Sequence, residues 1–359
     1  MLNLRIKMKT LLLSLFFVMS AATAKLDYTL VKNDLDIVWG MDFISPELII
    51  FTEKSGTIKT YHLKTKKLTE ISGAPKVYKR GQAGLLDIKL HPNFKENKRV
   101  YLTYSKSVDD VRTTALGYGV LEGNALKNFK EIFVGKGKSD ERIHFGSRMA
   151  FTSDNKIFFT IGDRGNRPNA QNLENHFGKV LRINDDGTTP KDNPFVGNKD
   201  ALAEIWSYGH RNPQGLAYDE KADKLYEMEH GPRGGDEINI VEKGKNYGWP
   251  KQSYGKEYVL PMDVGEEKVE GTEQPYKYYD PSIAPCGLVH YTGKRYKELK
   301  NSLISGALKL THVNVVNLDT GKELRLFDDK DMRVRSVAVS PDDYIYFSTD
   351  GGEIFRINP

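Results

Sequence analysis

The sequence predicts an all-β chain, specifically a six-bladed β-propeller of four-stranded antiparallel blades. Three features predict it: a hairpin pattern recurring six times, near absence of long amphipathic helical patterns, and two terminal segments suited to pair with each other. Each hairpin is an apolar strand, a polar turn and a second strand rich in aromatic and β-branched residues. The six run over Met41 to Thr52, Ile88 to Tyr104, Met149 to Ile161, Leu216 to Met228, Leu288 to Ser305 and Val337 to Thr349. Their turns read Ser45-Pro46-Glu47, His91-Pro92-Asn93, Ser153-Asp154-Asn155, Asp219-Glu220-Lys221, Thr292-Gly293-Lys294 and Ser340-Pro341-Asp342. Uneven spacing between the units suits blades that carry loops of different length. Gly and Pro, 32 and 15 of 359 residues, interrupt most candidate helical windows. The alternating segment Leu26 to Ile37 suits pairing with Glu353 to Ile357, which would close the ring and remove an exposed sheet edge.

The first 24 residues are set apart from this fold. Arg5, Lys7 and Lys9 precede an apolar run from Leu11 to Met19, and Ala22-Thr23-Ala24 supplies small residues for cleavage. The pattern predicts a signal peptide over 1–24 and one catalytic domain over 25–359, periplasmic or secreted. The apolar run is shorter than the 18 or so residues a membrane span needs, so no span is expected in the mature chain. Cys286 is the sole cysteine, which excludes an intramolecular disulfide, a covalent c-type haem and a cysteine zinc cluster. Net charge is +5, but the basic residues are dispersed, which argues against a nucleic-acid partner.

The stretch Arg142 to Gly165 carries the clearest chemistry. With a turn at Ser153 to Lys156, residues that pair across the hairpin have numbers summing to about 309, so His144 falls opposite Asp163 to Gly165. A carboxylate fixes the tautomer of a histidine and raises its basicity, as a general base requires, although a structural pair tying loop ends has the same signature. A second cluster, Gly209-His210-Arg211-Asn212-Pro213-Gln214-Gly215, offers fixed donors to an anionic or carbonyl-rich ligand. Arg333 and Arg335 precede the sixth hairpin in the same relative place, and Lys309 ends the fifth. Four such cations converging near the axis would call for an anionic ligand. In the third cluster, Glu229 to Glu237, exposed backbone carbonyls and the carboxylates of Asp236 and Glu237 are hard oxygen donors suited to Ca²⁺. Neither a phosphate loop nor a dinucleotide fingerprint is present.

These motifs, together with Gly81-Gln82-Ala83-Gly84-Leu85-Leu86, His91-Pro92-Asn93-Phe94 and Arg333-Val334-Arg335, resemble the soluble PQQ-dependent sugar dehydrogenases, the quinoprotein glucose and aldose sugar dehydrogenase family. The resemblance spans most of the mature chain and implies a six-bladed propeller. It implies that His144 removes the anomeric hydroxyl proton of an aldose, that Asp163 orients His144 and that Arg211 stabilises charge on the quinone. It further implies PQQ binding by Gln82, His144, Arg211, Asn212, His230, Lys309, Arg333 and Arg335. Ca²⁺ would be bound by the carbonyls of Gly231 and Pro232, with Asp236 and Glu237 serving a second, structural Ca²⁺. His230 stands where the glucose enzymes have glutamine and Ser147 where glycine is usual. Shorter loops point to the aldose sugar dehydrogenase branch, with an external electron acceptor. The alternatives are a calcium-dependent lactone hydrolase, which leaves Lys309, Arg333 and Arg335 unexplained, and a non-catalytic glycan-binding propeller.

Overall fold

A computed structural model describes residues 26–260 and 262–359; the leader expected over 1–24 lies outside the described residues. Six sheets of four antiparallel strands are arranged in a ring. The innermost strands are Val38–Ser45, Leu85–Leu90, Met149–Phe151, Pro213–Asp219, Pro285–Tyr291 and Val334–Val339. Each packs against its neighbour, and the last packs against the first. Their hairpin partners, Leu48–Glu53, Arg99–Val108, Lys156–Ile161, Lys224–Glu229, Ser302–Ala307 and Ile345–Thr349, correspond to the six hairpins read from the sequence. The expected closure is also present: Asp27–Lys32 pairs antiparallel with Ile354–Asn358, Tyr28 opposite Ile357, so the N-terminal strand is the outer strand of the sixth blade.

Blades stack face to face, so an inner strand is covered on both sides. Lys156–Ile161 and Ile345–Thr349 are buried along nearly their whole length and read as continuous apolar or small-residue runs rather than alternating ones. Each blade interface holds its own core. Ile50 and Ile58 of the first blade meet Leu85 and Ile88 of the second, for example, and Ile304 and Val313 of the fifth meet Val337 and Phe347 of the sixth. Close blade contact also fixes a glycine: a Cβ on Gly40 would sit 2.7 Å from Asp87 Oδ1 and 2.8 Å from the Ile88 nitrogen.

The ring is tied together at its centre by one side chain. Arg148 stacks 3.8 Å from the centre of the Trp39 ring and donates to the carbonyls of Trp39 (3.0 Å), Gln214 (3.1 Å) and Arg335 (2.9 Å). It also contacts Asp87 Oδ1 at 3.3 Å and Cys286 Sγ at 3.4 Å. Those partners belong to the five other blades, so one buried guanidinium in the third blade touches all six. Asp87 Oδ2 in turn accepts from the Met149 nitrogen at 2.9 Å. Removing one partner of a buried ion pair strands the other charge. Arg148→Met is therefore expected to destabilise the protein by about 3–5 kcal/mol, with part of the loss recovered in Arg148→Met/Asp87→Asn. Denaturant midpoints measure both; a single variant as stable as wild type removes Arg148 from this role.

Candidate active site

An antiparallel hairpin brings the start of its first strand and the end of its second strand to the same end. Repeated around a ring, this places six pairs of loop segments on one face. A cavity of about 280 Å³ opens there, near the axis. Residues just ahead of the first strands contribute Ile37, Gln82, Phe145, Asn212, Ala284 and Arg333. Residues just past the second strands contribute Lys54, His230 and Leu308. Trp39, Gln214 and Arg335, three of the residues that hold Arg148, also line the cavity.

His144 and Asp163 meet as the hairpin pairing required. His144 Nδ1 lies 2.6 Å from Asp163 Oδ1, with both side chains buried. Asp163 also accepts from the Gly165 nitrogen at 2.8 Å and, through Oδ2, from Trp249 Nε1 at 2.8 Å. Burial acts to raise the Asp163 pKa, but His144, Arg211 and Trp249 bring it below the ordinary carboxylate value, so this group is ionised and can only accept. The proton on the histidine side therefore sits on Nδ1, and Nε2 is left as the basic nitrogen. Burial, reinforced by Arg211 and Arg164, lowers the His144 pKa despite Asp163, so the ring is neutral near pH 7.

The backbone around this pair is unusual. His144, Ser147 and Arg164 have φ of 56°, 90° and 58°. Such conformations persist where surrounding contacts determine them. The His144 nitrogen donates to Gln82 Oε1 at 2.7 Å, and the Ser147 hydroxyl donates to the Phe145 carbonyl at 3.0 Å. A Cβ on Gly162 would fall 2.4 Å from the His144 carbonyl, so glycine is required there for the loops to touch. The φ of Ser147 gives a physical reason for glycine to be usual at that position. Behind Asp163, its carbonyl accepts from Asn169 Nδ2 at 3.0 Å. The loop carrying Asn169 is gripped by buried Lys179, whose Nζ donates to the carbonyls of Asn169, Ala170 and Phe177 at 2.6–3.1 Å.

The second cluster folds onto the same site. Arg211 donates to the His230 carbonyl at 3.1 Å and the Tyr258 hydroxyl at 3.3 Å, and lies over the Trp249 ring. The backbone nitrogens of Arg211 and Asn212 donate to Glu229 Oε2 at 2.5 and 3.2 Å. Asn212 Oδ1 accepts from Gly146, and Gln214 Nε2 donates to the Gly146 carbonyl at 3.0 Å, which ties this cluster to the His144 loop. Burial and nearby cations push the His230 pKa down to about 3, so its neutral ring donates Nε2–H to the Pro285 carbonyl at 2.6 Å. Arg333 and Arg335 share the Asp350 carboxylate at 2.7–3.1 Å. Lys309 is exposed and does not line the cavity, whereas its neighbour Leu308 does.

The acidic cluster divides in two. Asp236 is committed to its loop: Oδ1 accepts from the Gly231 nitrogen at 2.9 Å, and Oδ2 from the Ser282 hydroxyl at 2.6 Å and the Ala284 nitrogen at 2.8 Å. Glu237 points elsewhere, sharing Asn239 Nδ2 with Glu227 and Glu229 at 3.0–3.5 Å. His210 Nδ1 lies 3.2 Å from Glu229 Oε1, and His210, Glu227 and Glu229 present ligand atoms within 4.8 Å of one another. Burial and the charge of Glu229 raise the pKa of both Glu227 and Glu237 well above the ordinary value. Glu227 Oε1 and Asn239 Oδ1 are buried without a hydrogen-bond partner. Uncompensated acceptors of this kind fit a hard cation.

Sequence reading had not singled out Lys54, Trp39, Glu227 or Asp350 for the site, and it gave Gln214 and Glu229 no role of their own within the second and third clusters. The available signal was positional: Lys54, Asp163, His230 and Asp350 all directly follow a second strand or lie within two residues of its end.

Known proteins share this fold. The profile of the family described as Glucose / Sorbosone dehydrogenase matches residues 35–356. The aldose sugar dehydrogenase YliI of Escherichia coli is 38% identical over 351 residues, 94% of each chain. The apo crystal structure of the soluble E. coli aldose sugar dehydrogenase superposes with a TM-score of 0.89 at 36% identity, covering 93% of this chain and 100% of that one. The PQQ-bound aldose sugar dehydrogenase of Streptomyces coelicolor gives 0.77 at 26% identity, covering 93% and 98%. With the profile spanning nearly all the described residues and the same propeller in these relatives, the chain belongs to the glucose and sorbosone dehydrogenase family of soluble, PQQ-type sugar dehydrogenases.

Proposed function

We propose that the chain oxidises aldoses at the anomeric carbon to lactones, using PQQ and Ca²⁺ and passing electrons to an external acceptor. The observation that carries this reading is a carboxylate-oriented His144 whose neighbour Phe145 lines a cavity shared with Lys54, Arg333 and Arg335. Such a cavity suits a polycarboxylate, and its amide and imidazole lining suits carbonyl oxygens. Gln82, Asn212, Gln214, His230, Arg333 and Arg335 would hold PQQ there. When bound, PQQ supplies a quinone carbon that accepts hydride.

The protein's part is proton and charge management. His144 Nε2 accepts the anomeric hydroxyl proton as hydride leaves the same sugar carbon, and the carbon–oxygen bond becomes the lactone carbonyl. Asp163 holds the ring in the required tautomer and stabilises the cation formed. Arg211, whose charge acts on both Asp163 and His144, would stabilise negative charge developing on the bound quinone without reorganisation. The carbonyls of Gly231 and Pro232 would hold Ca²⁺, which acts as a Lewis acid. For a structural Ca²⁺, the Glu227, Glu229 and Glu237 group with Asn239 fits better than Asp236, whose oxygens already serve three protein donors.

No helix among the described residues is long and apolar enough to cross a membrane. With the leader pattern of residues 1–24, this supports a single exported domain from Lys25 onward, periplasmic or secreted.

A panel of aldoses, assayed with an artificial dye with and without PQQ and Ca²⁺, should show cofactor-dependent dye reduction; failure with every aldose overturns the reading. His144→Ala should lower turnover by about 10²- to 10⁴-fold while PQQ still binds, and unchanged turnover removes His144 from the chemistry. Because the His144 pKa is lowered and only the neutral ring accepts a proton, kcat/KM should hold as pH falls past about 6.5 and decline below it. An acid limb centred above that value contradicts the assignment.

A further inference from the structure

We propose that Lys54 is a further ligand-contacting cation of the axial cavity, an anchor for a carboxylate of the bound cofactor; this rests on reading the cavity as the PQQ site. Lys54 follows the second strand of the first blade, in the place that His230 occupies in the fourth blade, and it lines the cavity. Its Nζ donates to the Gly81 carbonyl at 2.7 Å. An ammonium has three donors, so this bond leaves two for a ligand.

The charge pattern singles out Lys54. Arg333 and Arg335 already share Asp350. Among the described residues, Lys54 has no carboxylate within ion-pair distance. Asp36 and Asp350 act on it only at longer range, while Arg335 opposes it, and Asp36 is itself engaged by the Ser55 nitrogen at 3.0 Å. Burial first, and Arg335 second, lower the Lys54 pKa. A ligand carboxylate would offset both influences by supplying the missing counter-charge. Binding is then coupled to proton uptake: affinity should fall as rising pH removes the Lys54 proton.

A purely structural role is the competing explanation, because Gly81 precedes Gln82, which holds the His144 nitrogen. The substitutions separate the two. Lys54→Gln keeps one donor for Gly81 but removes the charge; Lys54→Met removes both; Lys54→Arg keeps the charge. The readout is equilibrium titration of the mature, Ca²⁺-loaded protein with PQQ, followed by quenching of tryptophan fluorescence, since Trp39 lines the cavity. Lys54→Gln and Lys54→Met should each weaken PQQ binding by roughly 10- to 100-fold, and Lys54→Arg by much less. The alkaline decline in affinity should shrink in Lys54→Gln at unchanged melting temperature. Wild-type affinity in Lys54→Gln overturns the proposal alone, whether or not Lys54→Met is impaired. Absence of binding by wild type overturns the cofactor reading and the proposal with it.

Discussion

One guanidinium on the axis is the interaction on which the rest of the structure depends. A ring of six sheets has no central sheet to carry a continuous core, and each blade interface packs its own side chains. Arg148 supplies the missing common element by binding residues in every other blade. Trp39, Gln214 and Arg335 are both its partners and walls of the cavity. The floor of the site and the closure of the ring are therefore a single bonded unit, which holds cavity residues from three chain-distant blades in fixed relation.

Above that floor, function is placed by strand direction. Antiparallel hairpins deliver loop ends to one face, and the rigid strands behind them allow strained loops to persist there. Three left-handed non-glycine residues, His144, Ser147 and Arg164, cluster around the His144–Asp163 pair. Gln82 from the second blade and Asn212 and Gln214 from the fourth hold that loop from both sides. The strain is thus supported by neighbouring blades, and Gly162 permits the contact that a side chain would prevent.

Electrostatics divides the face into a basic region and a carboxyl-rich one. Lys54, Arg333 and Arg335 make the axial cavity cationic, while Glu227, Glu229 and Glu237 gather carboxyl groups in the interior of the fourth blade. Arg211 and His230 lie between them, and Asp163 balances the cationic side directly at His144. The basic donors and the buried acidic acceptors are thus kept on separate parts of the face.

The six hairpins, the N- to C-terminal closure and the His144–Asp163 pair were legible in the sequence because each rests on local periodicity or on a short-range pairing rule. A hairpin register links residues 19 positions apart by arithmetic alone. Other assignments required the ring itself. Lys54 in the cavity, Lys309 outside it, Asp236 spent on its own loop and Glu227 beside Glu229 and Glu237 all depend on how blades rotate about the axis and how their loops fold back. Arg148 is the clearest case: its partners run from Trp39 to Arg335, and nothing in the neighbourhood of residue 148 encodes them. Periodicity records which face of a strand is buried, but convergence of side chains from separate blades is a property of the closed ring, so only the tertiary structure decided it.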